Sequence, residues 1–459
     1  MSKFADLIEQ NLEELAALDS VDAGKLLASG KTVDIPHCLH ILRYYAGAAD
    51  KIHGETLKLA GEYQGYTLLE PIGVVGHIIP WNYPSTMFLM KSSPALAAGC
   101  TMVIKPAEQT PLSALFYAHL AKQVCFLLFL FLFLPVDMVA LTSISCVGWY
   151  SGWSDQRGQR VWPHCRCCTL LSHGRRRRAF IASLPLSLML LYCIVASPHH
   201  PPNLGFQISF TGSTETGRLV MEAAARSNLK TVSLELGGKS PLIIFDDADV
   251  DMAVALARIA IFYNKASPLQ GIYDEFVRKA AESAKSWVVG DPFDPNVQQG
   301  PQVDKTQFER VLSYIELGKT EGATLLTGGR RCGDKGYYVE PTIFTDVKEE
   351  MRIAQEEIFG PVMSLMKFKT IEEAIEKANA TRYGLAAGIV TKDLNTANRV
   401  TRSVRAGTIW INCYFAFDPG CPFGGYKMSG FGRDLGMHAI NKYLQVKSVV
   451  TPLHSSPWL

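Results

Sequence analysis

Glu235 closes the apolar run TVSLE and is followed, after Leu236, by Gly237 and Gly238. A carboxylate at the end of a buried strand, next to glycines that let a backbone or ligand come close, is a candidate general base. The plainer alternative is an edge residue paired with Lys239. The segment PWNYP (80–84) sets Trp81 and Asn82 between two stiffening prolines. A fixed amide suits the stabilisation of a developing oxyanion, although turns also favour asparagine. FTGSTETG (210–217) reads as strand, glycine turn and helix start, where backbone N–H groups and the Ser213 hydroxyl suit a phosphate. A simple βα turn capped by Ser213 has the same pattern. IKPAEQTP (104–111) places Lys105 and Glu108 at a strand end, able to bind ribose hydroxyls or to lie in a solvated loop. EEIFGPV (356–362) puts Glu357 beside Phe359 and a Gly-Pro turn, a clamp for a flat ring and its sugar.

The elements that must hold these residues follow an α/β rhythm of short apolar runs alternating with amphipathic helical patterns. Strands are expected at 73–80, 101–106, 208–210, 232–235, 242–245, 323–326, 384–390 and 408–412. Helices are expected at 2–18, 86–98, 111–123, 214–227, 250–263, 305–319, 371–379 and 393–403. A doubly wound parallel sheet followed by a second α/β domain fits this order. The chain has 459 residues, 48% of them hydrophobic and 19% charged, with 37 glycines and 24 prolines. That composition excludes disordered, collagen-like and disulfide-framework classes. The net charge of +2 gives no bulk attraction to nucleic acid. The N-terminal stretch MSKFADLIEQNLEELAALDS has no apolar signal core, so no secretory leader is expected.

Taken in order, PWNYP, IKPAEQTP, FTGSTETG, LELGGKSP, EEIFGPV and CPFGGYKMSGFGRDLG (421–436) resemble the NAD(P)-dependent aldehyde dehydrogenases. The ending LQVKSVVTPLHSSPW (444–458) is similar to the plant cytosolic and mitochondrial branch. The resemblance implies an α/β, aldehyde dehydrogenase-like fold: a Rossmann-type cofactor domain (1–237), an α/β catalytic domain (238–428), and a C-terminal segment (429–459) that returns to the first domain and joins a small oligomerisation element. Carried over, Lys105 and Glu108 would hold the adenosine ribose, and Gly212 and Ser213 would face the pyrophosphate. Glu357 would bind the nicotinamide ribose, with Phe359 near the ring. A carboxylate at Glu108 would repel a 2′-phosphate, which favours NAD over NADP. Asn82 would donate to the oxyanion and Glu235 would act as base. The implied partner is a small aldehyde, with no metal, nucleic acid or membrane, in a homo-oligomer of cytoplasmic or mitochondrial location. The family carries strands ahead of residues 2–18, so the chain is expected to start at an internal Met.

Two departures stand out. The family reaction uses a cysteine thiolate that attacks the aldehyde, in a Gly-[Gln/Glu]-x-Cys loop after the helix that here ends IFYNK (261–265). Here that helix runs into ASPLQGIYDEF (266–276), and no cysteine lies between Cys193 and Cys332. The second departure is residues 124–207, where the α/β rhythm stops and six of the eleven cysteines collect: Cys125, Cys146, Cys165, Cys167, Cys168 and Cys193. The apolar run 125–135 is too short to span a membrane, and 179–198 is interrupted by Pro185. Back-translation of 148–176, read one base along, yields AGIPDGRINVVNGFGPTAGAALSSHMDVD, the strand and glycine loop the family places here. Residues 124–147 and about 178–207 are therefore read as retained introns flanking an out-of-frame exon. The close spacing of Cys165, Cys167 and Cys168 is then an accident of frame rather than a zinc site. Poor solubility is expected from runs such as 125–135. A non-catalytic protein is the competing expectation for the chain as written.

Overall fold

The computed structural model describes residues 1–124, 129–130, 142–143, 206–261, 266–268 and 271–453. Its larger sheet has seven strands with Val74–Ile78 near the centre. On one side of that strand lie Phe206–Thr211 and then Thr231–Glu235, and on the other Thr101–Lys105 and then Phe129–Leu130, all parallel. Gly430–Phe431 and Thr142–Ser143 close the two edges in antiparallel fashion. Parallel neighbours need crossover connections, and the helices Pro84–Ala97 and Thr214–Arg226 provide them. The chain steps outward from Val74–Ile78 in one direction and later in the other. The switch point therefore falls between Val74–Ile78 and Phe206–Thr211, where open α/β sheets form a ligand crevice.

Helices cover both faces of this sheet. Ser2–Gln10, Leu12–Ala23, Ile35–Ala48, Pro84–Ala97 and Leu112–Gln123 share one core with Val75, Met102 and Ile104, in which the Phe88 and Tyr117 rings stack at 4.9 Å. On the other face Ile78, Ile208, Phe210 and Leu234 pack against Val220 and Ala224 of Thr214–Arg226. A second, four-stranded parallel sheet runs in the order Ala266–Pro268, Leu242–Ile244, Ala386–Val390, Thr408–Ile411. Lys305–Thr320 packs on a three-stranded sheet of Thr324–Thr327, Thr342–Thr345 and Val362–Ser364. Thr56–Lys58, Tyr63–Pro71 and Leu444–Pro452 form a separate antiparallel sheet.

Most expected elements are present within a few residues. The N-terminal helix expected over 2–18 instead breaks at Asn11, whose side-chain amide donates to the Leu7 carbonyl at 2.7 Å. Asparagine competes for helical carbonyls in this way. The helices Ile35–Ala48 and Tyr273–Lys285 and the strands Tyr63–Pro71 and Leu444–Pro452 carried no clear signal. Leu444–Pro452 is mostly exposed along its length, so it lacks the alternation that marks a half-buried strand. The readings of 124–207 as intron-derived and of Cys165, Cys167 and Cys168 as incidental lie outside the described residues, apart from Val124, the short strands Phe129–Leu130 and Thr142–Ser143, and Phe206 and Gln207. Among the described residues no helix is long and apolar enough to cross a membrane.

Candidate active site

The chemistry-bearing turns project from the carboxyl ends of four neighbouring strands of the larger sheet. Val74–Ile78 leads into Trp81 and Asn82, Thr101–Lys105 into Glu108, Phe206–Thr211 into Gly212 and Ser213, and Thr231–Glu235 into Gly237. Backbone bonds tie these ends together. The Ile79 amide donates to the Lys105 carbonyl at 3.1 Å, and the Gly212 amide donates to the Glu235 carbonyl at 3.0 Å. Ser213 caps Thr214–Arg226 by accepting from the Thr216 amide at 3.1 Å. The capping reading and the phosphate reading are thus compatible, since other first-turn amides stay available. The Lys105 ammonium lies 2.9 Å from a Glu108 carboxylate oxygen, with Glu108 partly open to solvent.

Residues 356–362 meet these ends through Glu357 and Phe359. A Glu357 oxygen accepts from the Gly238 amide at 3.0 Å, and the Phe359 ring meets Trp81 edge-on at 5.0 Å. Phe359 has a left-handed backbone, φ 58°, and the Gln307 side chain donates to its carbonyl at 2.7 Å. Burial pushes the Glu357 carboxyl up, against the Gly238 hydrogen bond and the Arg310 and Lys239 charges. A β-carbon at Gly237 would stand 2.2 Å from the other Glu357 oxygen. Gly237→Ala is therefore expected to expel the Glu357 carboxylate and cost about 1–3 kcal/mol. A urea midpoint equal to that of the parent chain would refute this.

Glu235 is buried, and among the described residues neither carboxylate oxygen has a hydrogen-bond partner, so no such bond joins it to Lys239. Burial raises its proton affinity strongly, and the Asp434 charge adds to this; Lys91, Lys442 and Arg433 pull the other way. A raised proton affinity makes the ionised carboxylate a stronger base, which suits proton abstraction in a dry site. Lys91 and Asp434 went unnoticed in the sequence. The Lys91 ammonium donates to one Asp434 oxygen at 2.6 Å and that of Lys442 to the other at 2.6 Å. Burial would raise the Asp434 carboxyl, but Lys442 and Lys91 outweigh it and hold Asp434 ionised. The available signal was a lone lysine inside PSTMFLMKSSPALA, a helix buried almost all round, where a charge must find a partner.

The turn carrying Asn82 rests on another buried ionic group. The Lys25 ammonium sits 3.6 Å from the Tyr83 ring centroid and 3.2 Å from an Asp34 oxygen. Beneath it burial raises the Asp19 carboxyl to about 6, against contacts with Ser113, Ser85 and Lys25. A carboxyl with a raised folded pKa binds more protons in the native state, so stability falls as pH rises from about 4 to about 6. Asp19→Asn is expected to stabilise the fold above pH 6 by up to about 3 kcal/mol and to change little near pH 4. Equal urea midpoints for the two chains at pH 7.5 would count against it.

The five described cysteines stand apart from Glu235's neighbours. Cys38 and Cys100 are buried, Cys332 and Cys413 half-buried, and Cys421 exposed. Burial raises the Cys38 thiol far above its usual range and also raises Cys100, so neither supplies a thiolate. Residues 262–265 and 269–270, which flank the expected position of the nucleophile loop, lie outside the described residues.

The sequence profile of the aldehyde dehydrogenase family matches residues 1–128 and 206–449. The chain is 54% identical over 469 residues to "Aldehyde dehydrogenase family 2 member C4" of Arabidopsis thaliana, covering 100% of this chain and 83% of that relative. An aldehyde dehydrogenase structure from Bacillus cereus superposes with a TM-score of 0.82 at 39% identity, over 99% of this chain and 83% of the other. Betaine aldehyde dehydrogenase from Staphylococcus aureus, solved with NAD+, gives 0.82 at 32% identity, over 99% and 84%. The chain belongs to the aldehyde dehydrogenase family.

Proposed function

We propose that this site is built to oxidise a small aldehyde to its carboxylic acid with NAD as hydride acceptor, and that the chain as written lacks the nucleophile the reaction needs. The observation that carries the first half is the convergence of the Asn82, Ser213, Glu235 and Glu357 segments on one crevice at the sheet's switch point. Fit to a dinucleotide is supported by the capped start of Thr214–Arg226, the half-open Lys105–Glu108 pair, and glycine at 237, where a side chain would displace Glu357. Lys105 and Glu108 take the adenosine ribose, Gly212 and Ser213 the pyrophosphate, and Glu357 the second ribose. Phe359 and Trp81 wall the nicotinamide, which supplies the hydride acceptor when bound. Asn82 donates its amide to the oxygen that gains charge, and Glu235 takes the proton from the attacking group. In this reading 1–237 is the cofactor domain, 238–428 the catalytic domain and 429–459 the returning segment.

The exposed Val446 and Val450 of Leu444–Pro452, with Tyr63, Tyr66 and Leu68 on the strand beside it, support a homo-oligomer assembled through this sheet. The compartment read from the resemblance is cytoplasmic, or mitochondrial with a longer N-terminus.

A fluorescence titration tests the cofactor assignment. NADH is expected to bind on the order of tenfold more tightly than NADPH, because Glu108 repels a 2′-phosphate. Glu108→Ser should narrow that gap. Equal affinities in the parent chain would sink the assignment. The second reading, a non-catalytic member of the family, is favoured by one observation: the sequence has no cysteine between Cys193 and Cys332.

A further inference from the structure

Arg382 reaches from residues 381–384 to the first turn of Thr214–Arg226. Its Nη2 donates to a Glu215 carboxylate oxygen at 3.2 Å and to the Tyr383 hydroxyl at 2.8 Å. The backbone beneath it is tied to the end of Thr231–Glu235 through residues 426–429. Tyr383 pairs in register with Lys427, and the Met428 amide donates to the Arg382 carbonyl at 3.0 Å. The Ser429 hydroxyl accepts from the Gly384 amide at 3.0 Å and donates to the Gly237 carbonyl at 2.7 Å. The Thr214 hydroxyl donates to the Met428 carbonyl at 3.2 Å, so the same segment also touches the helix start. Paired backbone thus holds Arg382 over that turn.

The turn itself presents a conflict of charge. Ser213 takes the Thr216 amide with its hydroxyl and the Gly217 amide with its carbonyl, which leaves the Thr214 and Glu215 amides for a phosphate. Glu215 therefore carries an anionic side chain on one of the two residues whose amides serve the ligand. A first-turn carboxylate favours the helix but repels a second anion there. The reach of this ion pair extends across the crevice. Glu357, raised first by burial, is raised further by the Glu215 charge. Glu356, held down chiefly by Arg352, is lowered by Arg382 as well. Arg382 and Glu215 are both exposed. Both Arg382 bonds leave from Nη2, so the rest of its five-donor fork is open to a ligand.

We propose that Arg382 is a further cofactor-binding residue, whose guanidinium offsets the Glu215 carboxylate and gives its open N–H groups to the diphosphate of the dinucleotide. This deepens the reading of the crevice as an NAD site and rests on it. Between Ser213 and Glu357 the diphosphate brings two negative charges past Glu215. Cations at the two ends are otherwise engaged: Lys105 lies 2.9 Å from Glu108, and Arg310 donates to the Glu357 carbonyl at 3.1 Å. Arginine suits the middle position because its planar fork bonds a carboxylate and a phosphate oxygen together and keeps its charge at any working pH.

Fluorescence titration of the purified full chain with NADH, and displacement of NADH by ADP-ribose or adenosine, test this. ADP-ribose keeps the diphosphate, and adenosine lacks it. Arg382→Ala is expected to weaken NADH and ADP-ribose about tenfold each and to leave adenosine unchanged. Its urea midpoint should match that of the parent, because an exposed ion pair contributes little to the fold. Arg382→Lys should regain part of the loss, and added salt should weaken NADH binding less in Arg382→Ala than in the parent. Glu215→Gln should tighten NADH, and Arg382→Ala should still weaken it in that background. If Arg382→Ala changes nothing once Glu215 is replaced, the arginine only masks a carboxylate and the diphosphate contact is overturned. An equal loss for adenosine overturns it too, as does an unchanged NADH affinity in Arg382→Ala. A parent chain that binds neither NADH nor ADP-ribose removes the cofactor reading and the proposal with it, an outcome distinct from binding that Arg382→Ala leaves unmoved.

Discussion

Supplied with NAD and aliphatic or aromatic aldehydes, the purified chain is expected to form NADH on the order of 10⁴-fold or more slowly than a version carrying a Gly-Gln-x-Cys loop after Lys265. The described part of the preceding helix ends at Ile261, and the strand Ala266–Pro268 begins five positions later. In the proposed reading, Glu235 as base and Asn82 as amide donor lack a nucleophile, which leaves aldehyde oxidation without its covalent step. Cys413 sits two residues past the strand Thr408–Ile411 in the second parallel sheet, and Cys421 lies exposed in a turn whose amide bonds to the Asp418 carbonyl. Steady NADH production at a rate comparable to the loop-restored version, abolished by Glu235→Gln, would overturn this expectation. The mature transcript between the codons for Ala121 and Gly271 provides the matching test at the level of the gene. A message reading AGIPDG after AKQ and restoring the cysteine loop makes the working protein an ordinary family member. A message that reads as written makes binding or regulation the function to pursue.

The second large effect is expected at Asp434. Asp434→Asn removes the anion held between Lys91 and Lys442 at 2.6 Å each, with the Lys91 and Asp434 side chains almost wholly enclosed. Breaking a buried charge group by removing one member costs about 3–5 kcal/mol, because the remaining charges are left without compensation. The same substitution should make Glu235 easier to ionise, since its anionic neighbour disappears while both lysines remain. Its carboxyl titration moves down in pH. A fall in stability below about 1 kcal/mol, or a Glu235 titration that does not move, would show that Asp434 is not the counterion of this cluster. Because Glu235 can then ionise and pair with a freed lysine, the stability loss should be greater at low pH than at high pH.

Much of the fold was legible because its strands are buried on both faces and its helices have one apolar side. GVVGHIIP, TMVIKP and ISF each became a strand of the parallel sheet, and Ser213 caps its helix as the STETG pattern implies. The sheet of Tyr63–Pro71 and Leu444–Pro452 was not legible in any local pattern; only the resemblance implied that the C-terminal segment joins a small separate element. Its residues meet water over most of their length, and the two strands lie far apart in sequence, so nothing local announces the pairing. The candidate site divides in the same way. Asn82, Ser213, Glu235 and Glu357 sit in short segments with unusual glycine and proline spacing. Lys91 and Asp434 are single polar residues within otherwise apolar or common stretches.

The order of the motifs and the missing cysteine were determined by the sequence itself, because each is a matter of residue type and spacing along one chain. The tertiary structure decided what surrounds Glu235. Its proton affinity depends on enclosure and on charges brought from Lys91 and Asp434, 343 positions apart in the chain. Enclosure and through-space charge are properties of the packed fold, and no local pattern of residues encodes them.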